Sequence, residues 1–280
     1  MKPLVLFHAS CNDGFCSAWI YRRFVNPECE FRAVQYGWEP PAVDDREVVI
    51  LDFSYERALL LEMQERASSL LVLDHHQTAA ADLEGLDFCV FDLSKSGARL
   101  TWEHFFDPQA SASIDIPPWL VDYTEDKDLW RWNLPDSRAI NATLESYPRL
   151  FHIWDGIARR PPEELAIEGK AILRFQDRLI RPRVKNHSWA HIGGFQVPVT
   201  NSTGLSSEIG NRMAQGHPFA AVFFIRPDGK VVYNLRSTGD EAIDVSEIAH
   251  QYGGGGHKNA AGFTIDTMIP MEVQPPPDPS

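Results

Sequence analysis

Carboxylate and imidazole side chains follow three short apolar runs in the first third of the chain. The residues concerned are His8 and Asp13 after the first run, Asp52 after the second, and Asp74, His75 and His76 after the third. Such a mixture of oxygen and nitrogen donors suits Mn²⁺, Zn²⁺ or Fe²⁺ better than Ca²⁺. So many negative groups at close range would be costly without a cation between them. Taken alone, Asp52 could serve only as a helix N-cap.

The three apolar runs predict buried strands that bring these side chains together. The predicted strands are Leu4–Phe7, Val48–Leu51 and Leu70–Leu73. Helix-like segments over 14–24 and 55–66 separate them. This alternation predicts an α/β fold, with a mostly parallel sheet and helices on both faces. Because ligands gather at the carboxyl ends of parallel strands, we expect a metal site at that edge.

The second half of the chain predicts a long helix and then a new α/β pattern. The helix starts near Pro161 and Pro162 and is expected to end at Pro182. The elements expected after it are strand Phe195–Val199, helix Ser206–Gln215, strands Ala220–Ile225 and Val231–Leu235, and helix Val245–His250. We therefore expect a catalytic domain over 1–160 and a connector helix over 161–190. A smaller α/β substrate-binding domain over 191–268 is expected to close over the metals, and a disordered proline-rich tail to cover 269–280.

Composition limits the classes of partner. The net charge is −13, from 26 basic and 39 acidic residues, which favours a short phosphorylated substrate over a long nucleic acid. No apolar run approaches the roughly 20 residues that a bilayer requires, so we expect no membrane association. The four cysteines lack zinc-type spacing and predict a reducing, cytoplasmic location. The sequence does not decide the oligomeric state, for which a homodimer is one alternative.

A glycine run near the end of the chain predicts an anion-binding loop. Successive glycines let backbone N–H groups converge on a phosphate, and the run has neither a Walker nor a dinucleotide-binding context. The alternative is a flexible surface hinge. Arg236, at a strand end, could clamp a phosphate through two hydrogen bonds or simply form a surface ion pair. The residues expected to bind substrate are Gly254, Gly255, Gly256, His257 and Arg236.

The order of these motifs resembles that of the DHH family of phosphoesterases. Asp74-His75-His76 is similar to the family signature, His8 with Asp13 to its first motif, and Asp52 to its second. The segment Gly253–Phe263 resembles the glycine-rich motif of the DHH-associated C-terminal domain. The resemblance covers nearly the whole chain except the proline-rich tail.

The resemblance implies a site with two Mn²⁺ ions, for which Mg²⁺, Co²⁺ or Zn²⁺ are alternatives. Asp52 would bridge the ions, His8 would bind one of them, and Asp13 and His75 would bind the other. His76 would contact the substrate phosphate, while Asp74 would orient a histidine.

At two positions, the sequence does not decide which group would bind the implied metal ions. Many family members carry an acidic residue where this chain has Cys11, so Cys11 is a soft ligand, or water takes its place, or one metal binds weakly. A small buried thiol without a metal role is an equal alternative. The fourth-motif ligand is Asp122, Asp126 or Asp128; we prefer Asp126, with Asp128 holding the turn and Asp122 facing solvent.

We therefore expect a metal-dependent phosphodiesterase that cleaves short oligonucleotides or dinucleotides to nucleoside monophosphates. Within the family, the alternatives are a single-strand exonuclease, a cyclic-dinucleotide phosphodiesterase and a 3′-phosphoadenosine 5′-phosphate phosphatase. An alternative from another class is a non-catalytic nucleotide-binding module, which the absent carboxylate at Cys11 motivates.

Overall fold

The apolar runs of the first half form neighbouring strands of one sheet. A computed structural model describes residues 2–9, 11–106, 118–239 and 241–272. It divides the chain into two compact units between Leu173 and Arg174. The strands of the first unit are β1 (Leu4–His8), β2 (Glu30–Val34), β3 (Glu47–Leu51), β4 (Ser69–Asp74) and β5 (Cys89–Phe91). They pair in parallel in the order β2-β1-β3-β4-β5.

Helices connect these strands and continue to the end of the first unit. They are α1 (Asn12–Ile20), α2 (Arg57–Arg66), α3 (Gln77–Asp82), α4 (Gly97–Phe105), α5 (Trp119–Asp128), α6 (Ser137–Ser146), α7 (Phe151–Ile157) and α8 (Pro162–Lys185). After α1 the chain widens into a π-helical turn over Tyr21–Val25. None of the described helices is both long and apolar enough to cross a bilayer.

Both faces of the first sheet are buried, as the predicted fold class requires. Alternate strand residues point to opposite faces. On one face Leu6 of β1 joins a core cluster with Leu60 of α2. On the other face Val5 and Phe7 join a core cluster with Trp19 of α1. The α/β prediction is therefore confirmed for this unit.

The expected end of the long helix at Pro182 is wrong. Helix α8 runs through this proline to Lys185, and the amide of Asn186 donates to the carbonyl of Pro182 at 2.9 Å. A proline removes only its own hydrogen bond to the residue four positions earlier. Hydrogen bonding that resumes directly afterwards can therefore carry the helix through it.

The second unit contains a separate, mixed sheet. Its strands are β6 (Ser188–Ile192), β7 (Phe195–Asn201), β8 (Ala220–Ile225), β9 (Val231–Arg236), β10 (Gly255–His257), β11 (Ala260–Ile265) and β12 (Met271–Glu272), and its helices are α9 (Ser206–Met213) and α10 (Val245–His250). The order is β10-β11-β9-β8-β7-β6-β12, and only the pairing of β7 with β8 is parallel among the described strands.

The start of the predicted disordered tail is ordered. Met271 and Glu272 pair with Ala190 and Trp189, so the sheet extends to residue 272. Ile269 and Met271 also pack against the core of this unit, and that burial holds the segment. The three consecutive prolines of the predicted tail, at 275–277, lie outside the described residues.

Candidate functional site

The residues singled out in the first half of the chain meet at one edge of the parallel sheet. Strands β1, β3 and β4 are direct neighbours, so their carboxyl ends lie side by side. His8 is the last residue of β1, Asp52 follows β3, and Asp74 is the last residue of β4. His75 and His76 extend from the same end. Ligand sites of open parallel sheets form at this kind of edge.

Asp52 lies at the centre of this group. Its Oδ2 is 3.6 Å from Nδ1 of His8, and its Oδ1 is 3.0 Å from Nε2 of His75. Only 1% of the residue is exposed, and its backbone adopts a left-handed φ of 55°. Such strain in a residue other than glycine is typical of functional sites. Asp52 does not cap α2, because Glu56 holds the N-cap position.

The donor atoms form two groups that share Asp52. One group contains His8, Asp52 and His76, the other Asp13, Asp52 and His75, and within each group the atoms lie within 4.8 Å of one another. Although Nε2 of His75 is close, Oδ1 of Asp52 is buried and has no hydrogen bond from the part of the chain that the structure describes. A buried oxygen left in this way fits a bound cation. Each group can hold a metal ion.

Asp13 is held by the start of another helix. Its carboxylate accepts hydrogen bonds from the backbone amides of Gly97 at 2.6 Å and Ala98 at 3.0 Å, in the first turn of α4. The positive end of the helix dipole favours a negative group there. A Cβ at Gly97 would lie 2.6 Å from Cβ of Asp52, so this position requires glycine. Sequence reasoning missed Gly97; the only local signal is the preceding Ser96, which caps α4.

The buried carboxylates perturb each other. Burial, together with the charges of Asp128 and Asp52, raises the pKa of Asp13 well above its usual value. Burial also opposes ionisation of Asp52, but the contacts with His75 and His8 outweigh it and hold the pKa of Asp52 well below its usual value. Asp13 and Asp52 therefore oppose each other's ionisation, and a divalent cation between them would offset that repulsion.

Asp74 holds the ring of His76. Oδ1 of Asp74 is 2.7 Å from Nδ1 of His76 and accepts the backbone amide of His75 at 2.7 Å. Oδ2 accepts the hydroxyl of Ser54 at 2.6 Å. Burial disfavours the protonated form of His76, but Asp74 outweighs that effect and raises the pKa of His76. Asp74 thus positions the ring of His76 through Nδ1.

In α5 the structure places Asp128, rather than the preferred Asp126, at the site. Oδ2 of Asp128 is 3.6 Å from Nε2 of His75. The carboxylate of Asp126 instead accepts the backbone amides of Asn133 at 2.8 Å and Leu134 at 3.4 Å, and so holds the turn after α5. The roles expected for the two residues are reversed, because they point in different directions from the helix. Asp122, expected to face solvent, pairs with Arg99.

Cys11 lies inside the cluster. Its Sγ donates to Oδ2 of Asp52 at 3.2 Å, lies 3.6 Å from Nδ1 of His8, and accepts the amide of Gly14 at 3.1 Å as the N-cap of α1. Burial, with the charges of Asp52 and Asp13, raises the pKa of Cys11 well above its usual value. The position of the carboxylate found in many family members therefore holds a thiol whose protonated form is favoured.

In the second unit, the guanidinium of Arg236 forms no direct ion pair with a carboxylate of the described residues. It donates to Oγ of Ser207 at 2.7 Å and to the carbonyl of Leu235 at 2.8 Å. Burial lowers the pKa of Arg236 to about 10, although the nearby charge of Glu208 acts in the opposite direction. No ion pair of Arg236 occurs among residues 118–239 and 241–272, so the surface-ion-pair alternative finds no support in this unit. A desolvated guanidinium of this kind fits an anionic ligand.

The sheet register places Arg236 and His257 in one cross-strand row. Ala260 of β11 lies opposite Arg236 of β9 on one side and opposite His257 of β10 on the other. Residues directly opposite each other in antiparallel strands project from the same face. Arg236 and His257 therefore flank Ala260 on that face.

Gly255 and Gly256 of the glycine run lie in an edge strand, which does not support the hinge alternative, and the predicted role of Gly254 is wrong. The amide of Gly254 donates to the carbonyl of Ala249 at 2.9 Å and so closes α10 instead of facing an anion. Gly254 must be glycine for packing, because a Cβ there would lie 2.1 Å from the carbonyl oxygen of Gly262. Gly255 and Gly256 lie in β10, at the edge of the sheet, where alternate backbone groups have no partner strand.

Comparisons with known proteins identify relatives of both units. Residues 200–273 match the DHHA1 domain. An uncharacterised protein of Acanthamoeba polyphaga mimivirus is 30% identical over 300 residues, which cover 96% of this chain and 69% of that protein. Oligoribonuclease NrnB of Bacillus subtilis is 36% identical over 105 residues, or 38% of this chain and 25% of NrnB. The fold is similar to that of the pGpG-specific phosphodiesterase PggH of Vibrio cholerae, with a TM-score of 0.54, 14% identity, and coverage of 95% of this chain and 93% of PggH.

Proposed function

Because this chain belongs to the DHH family of phosphoesterases and is a hydrolase of phosphoester bonds, we propose that it cleaves short oligonucleotides or dinucleotides to nucleoside monophosphates. The observation that carries this proposal is the pair of donor groups that share Asp52. Two cations bridged by one carboxylate are typical of enzymes that displace a phosphate ester in line.

The proposed ligands divide between two Mn²⁺ ions. His8 and Asp52 would hold one ion, and Asp13, Asp52, His75 and Asp128 would hold the other. Divalent cations held in this way acidify a water molecule and neutralise charge on the phosphoryl oxygens. Mn²⁺ suits the mixture of carboxylates and imidazoles, although Mg²⁺, Co²⁺ and Zn²⁺ have the same charge.

The other side chains at this edge would act on the substrate and on the ligands. His76, with its pKa raised by Asp74, would donate a hydrogen bond from Nε2 to a phosphoryl oxygen. The amides of Gly97 and Ala98 hold the carboxylate of Asp13 in place. The thiol of Cys11 would orient Asp52 through its 3.2 Å hydrogen bond without adding a negative charge to the cluster.

Arg236 and His257 would bind a further phosphate or the terminal nucleotide of the substrate. The support is the half-buried guanidinium, which has no direct ion pair among the described residues, and the shared row across β9, β11 and β10. The net charge of −13 supports a short substrate, because long nucleic acid is bound through many basic side chains. The printed name of the relative NrnB, an oligoribonuclease, supports the same substrate class.

The test is hydrolysis of dinucleotides and of long single strands by the purified protein supplied with Mn²⁺. We expect faster release of nucleoside monophosphate from dinucleotides, and loss of the activity when a chelator removes the metal. Equal or faster attack on long single strands would instead indicate an exonuclease. Tight nucleotide binding with no Mn²⁺-dependent hydrolysis would indicate a binding module.

A further inference from the structure

Tyr36 lies on the loop that follows β2, at the same sheet edge as the candidate metal centre. Strand β2 pairs with β1, and Val34 at the end of β2 is opposite His8. The loop turns back at Gly37, whose φ of 81° is in the left-handed region, and the amide of Trp38 donates to the carbonyl of Gln35 at 3.0 Å. The register therefore brings Tyr36 just beyond the end of the strand that carries His8.

The ring of Tyr36 is supported on one side and open to solvent elsewhere. Its centroid is 4.6 Å from that of Phe53, a fully buried residue, and 5.9 Å from that of His8. Despite these contacts, 54% of Tyr36 is exposed. A large ring that is held by a rigid neighbour and still presents its surface loses little conformational entropy when a flat ligand stacks on it.

The position of the ring selects the ligand. In a nucleotide, the base lies one sugar away from the phosphate, so a phosphate at the metal centre carries its base to the surrounding rim. His8 belongs to the proposed centre, and the exposed ring of Tyr36 contacts the ring of His8. Aromatic rings stack on any nucleobase, because every base has a π face.

We propose that Tyr36 is a stacking platform for one nucleobase of the substrate. This inference rests on the proposed function, since it takes a nucleotide as the ligand. It adds a subsite for the base beside the site for the phosphate. The platform contributes binding through the ring face and not through the hydroxyl group, so phenylalanine replaces tyrosine without loss.

The test compares Tyr36→Ala, Tyr36→Leu and Tyr36→Phe on two Mn²⁺-dependent substrates, a dinucleotide and the same molecule without its bases. For the dinucleotide we expect KM to rise roughly ten-fold or more in Tyr36→Ala and Tyr36→Leu, with kcat nearly unchanged. Tyr36→Phe should keep the wild-type KM. For the base-free substrate, all three variants should match the wild type.

Trp38→Ala and Leu93→Ala are matched controls, because these side chains are 56% and 52% exposed and lie outside the ring contacts of His8 given above. An unchanged KM in Tyr36→Ala, an equal defect on the base-free substrate, or the same defect in Trp38→Ala would each overturn the platform. If the wild type cleaves neither substrate, the proposed function fails separately. Equilibrium dialysis of a nucleoside monophosphate then decides the platform, which predicts binding at least about ten-fold weaker in Tyr36→Ala.

Discussion

The two units of the protein hold charge of opposite sign. In the first unit, Asp13, Asp52 and Asp74 are each at most 3% exposed and converge at one sheet edge. In the second unit, the guanidinium of Arg236 is bonded to a hydroxyl and a carbonyl and to no carboxylate in the described residues. The first arrangement therefore fits cationic ligands, and the second fits an anionic ligand.

The two sites also differ in how the chain builds them. The first joins the ends of three parallel strands and two helix starts, so its residues come from distant parts of the sequence. The second uses one cross-strand row of an antiparallel sheet, in which Arg236 and His257 flank Ala260. We therefore expect substitutions in the first site to change metal binding, and those in the second to change substrate affinity alone.

The largest effect is expected for Asp52→Asn. This variant removes the carboxylate that both donor groups share, so Mn²⁺-dependent hydrolysis of a dinucleotide should fall roughly a thousand-fold or more. Steady-state kinetics under saturating Mn²⁺ measure it. Asp44→Asn is the control, since Asp44 is an exposed aspartate paired with Arg66 at 2.8 Å. A loss of less than about ten-fold in Asp52→Asn would contradict a bridging role.

The second-largest effect distinguishes the roles of two aspartates of α5. Asp128→Ala should lower Mn²⁺-dependent activity on the order of a hundred-fold, because its carboxylate is a proposed ligand beside His75. Asp126→Ala should instead lower the free energy of unfolding by about 1–3 kcal/mol, because two backbone amides lose their acceptor. Kinetics and thermal denaturation of both variants check this. The assignment is wrong if the activity defect follows Asp126.

A smaller effect is expected in the second unit. Arg236→Met should raise KM roughly thirty-fold, which corresponds to about 2 kcal/mol for a charge-assisted hydrogen bond to phosphate. Mn²⁺ affinity should not change, because Arg236 belongs to neither of the donor groups that share Asp52. Arg226→Met is the control, because Arg226 is exposed and pairs with Asp228 at 2.9 Å. Weaker Mn²⁺ binding in Arg236→Met would contradict the assignment of metal binding to the first site alone.

The smallest effect concerns pH. Burial opposes ionisation of Asp74, but His76 outweighs it and lowers the pKa of Asp74. A lowered pKa contributes stability that is present above the unfolded value of about 3.9 and is lost as pH falls through the folded value. In metal-free protein, the melting temperature of the wild type should therefore drop more steeply below about pH 4 than that of Asp74→Asn. Parallel curves would show that the ion pair with His76 contributes nothing.

The sequence predicted which residues lie at the carboxyl edge of the first sheet, because short apolar runs indicate where strands end. Asp52 and Asp74 each follow such a run, and parallel strands bring their ends to one edge. The strand Glu30–Val34 was not predicted, because Glu30 and Arg32 interrupt its apolar pattern. Because that strand leads into the loop of Tyr36, the position of the proposed stacking platform could not be predicted from the sequence either.

Positions that depend on helix phase or close packing could not be predicted. Asp126 and Asp128 are two residues apart in α5, so they point in nearly opposite directions, and the sequence does not show which direction faces the site. Gly97 is needed because Asp52 and Asp13 approach it, and Gly254 because Gly262 and Phe263 do. Such close approaches depend on tertiary packing, which the sequence does not show.

Titration of metal-free protein with Mn²⁺, followed by calorimetry, tests the central claim most directly. The shared position of Asp52 predicts two Mn²⁺ ions per wild-type chain and at most one in Asp52→Asn, with Arg236→Met unchanged. Failure of the wild type to bind a divalent cation, or two-ion binding that persists in Asp52→Asn, would contradict a metal centre built around Asp52.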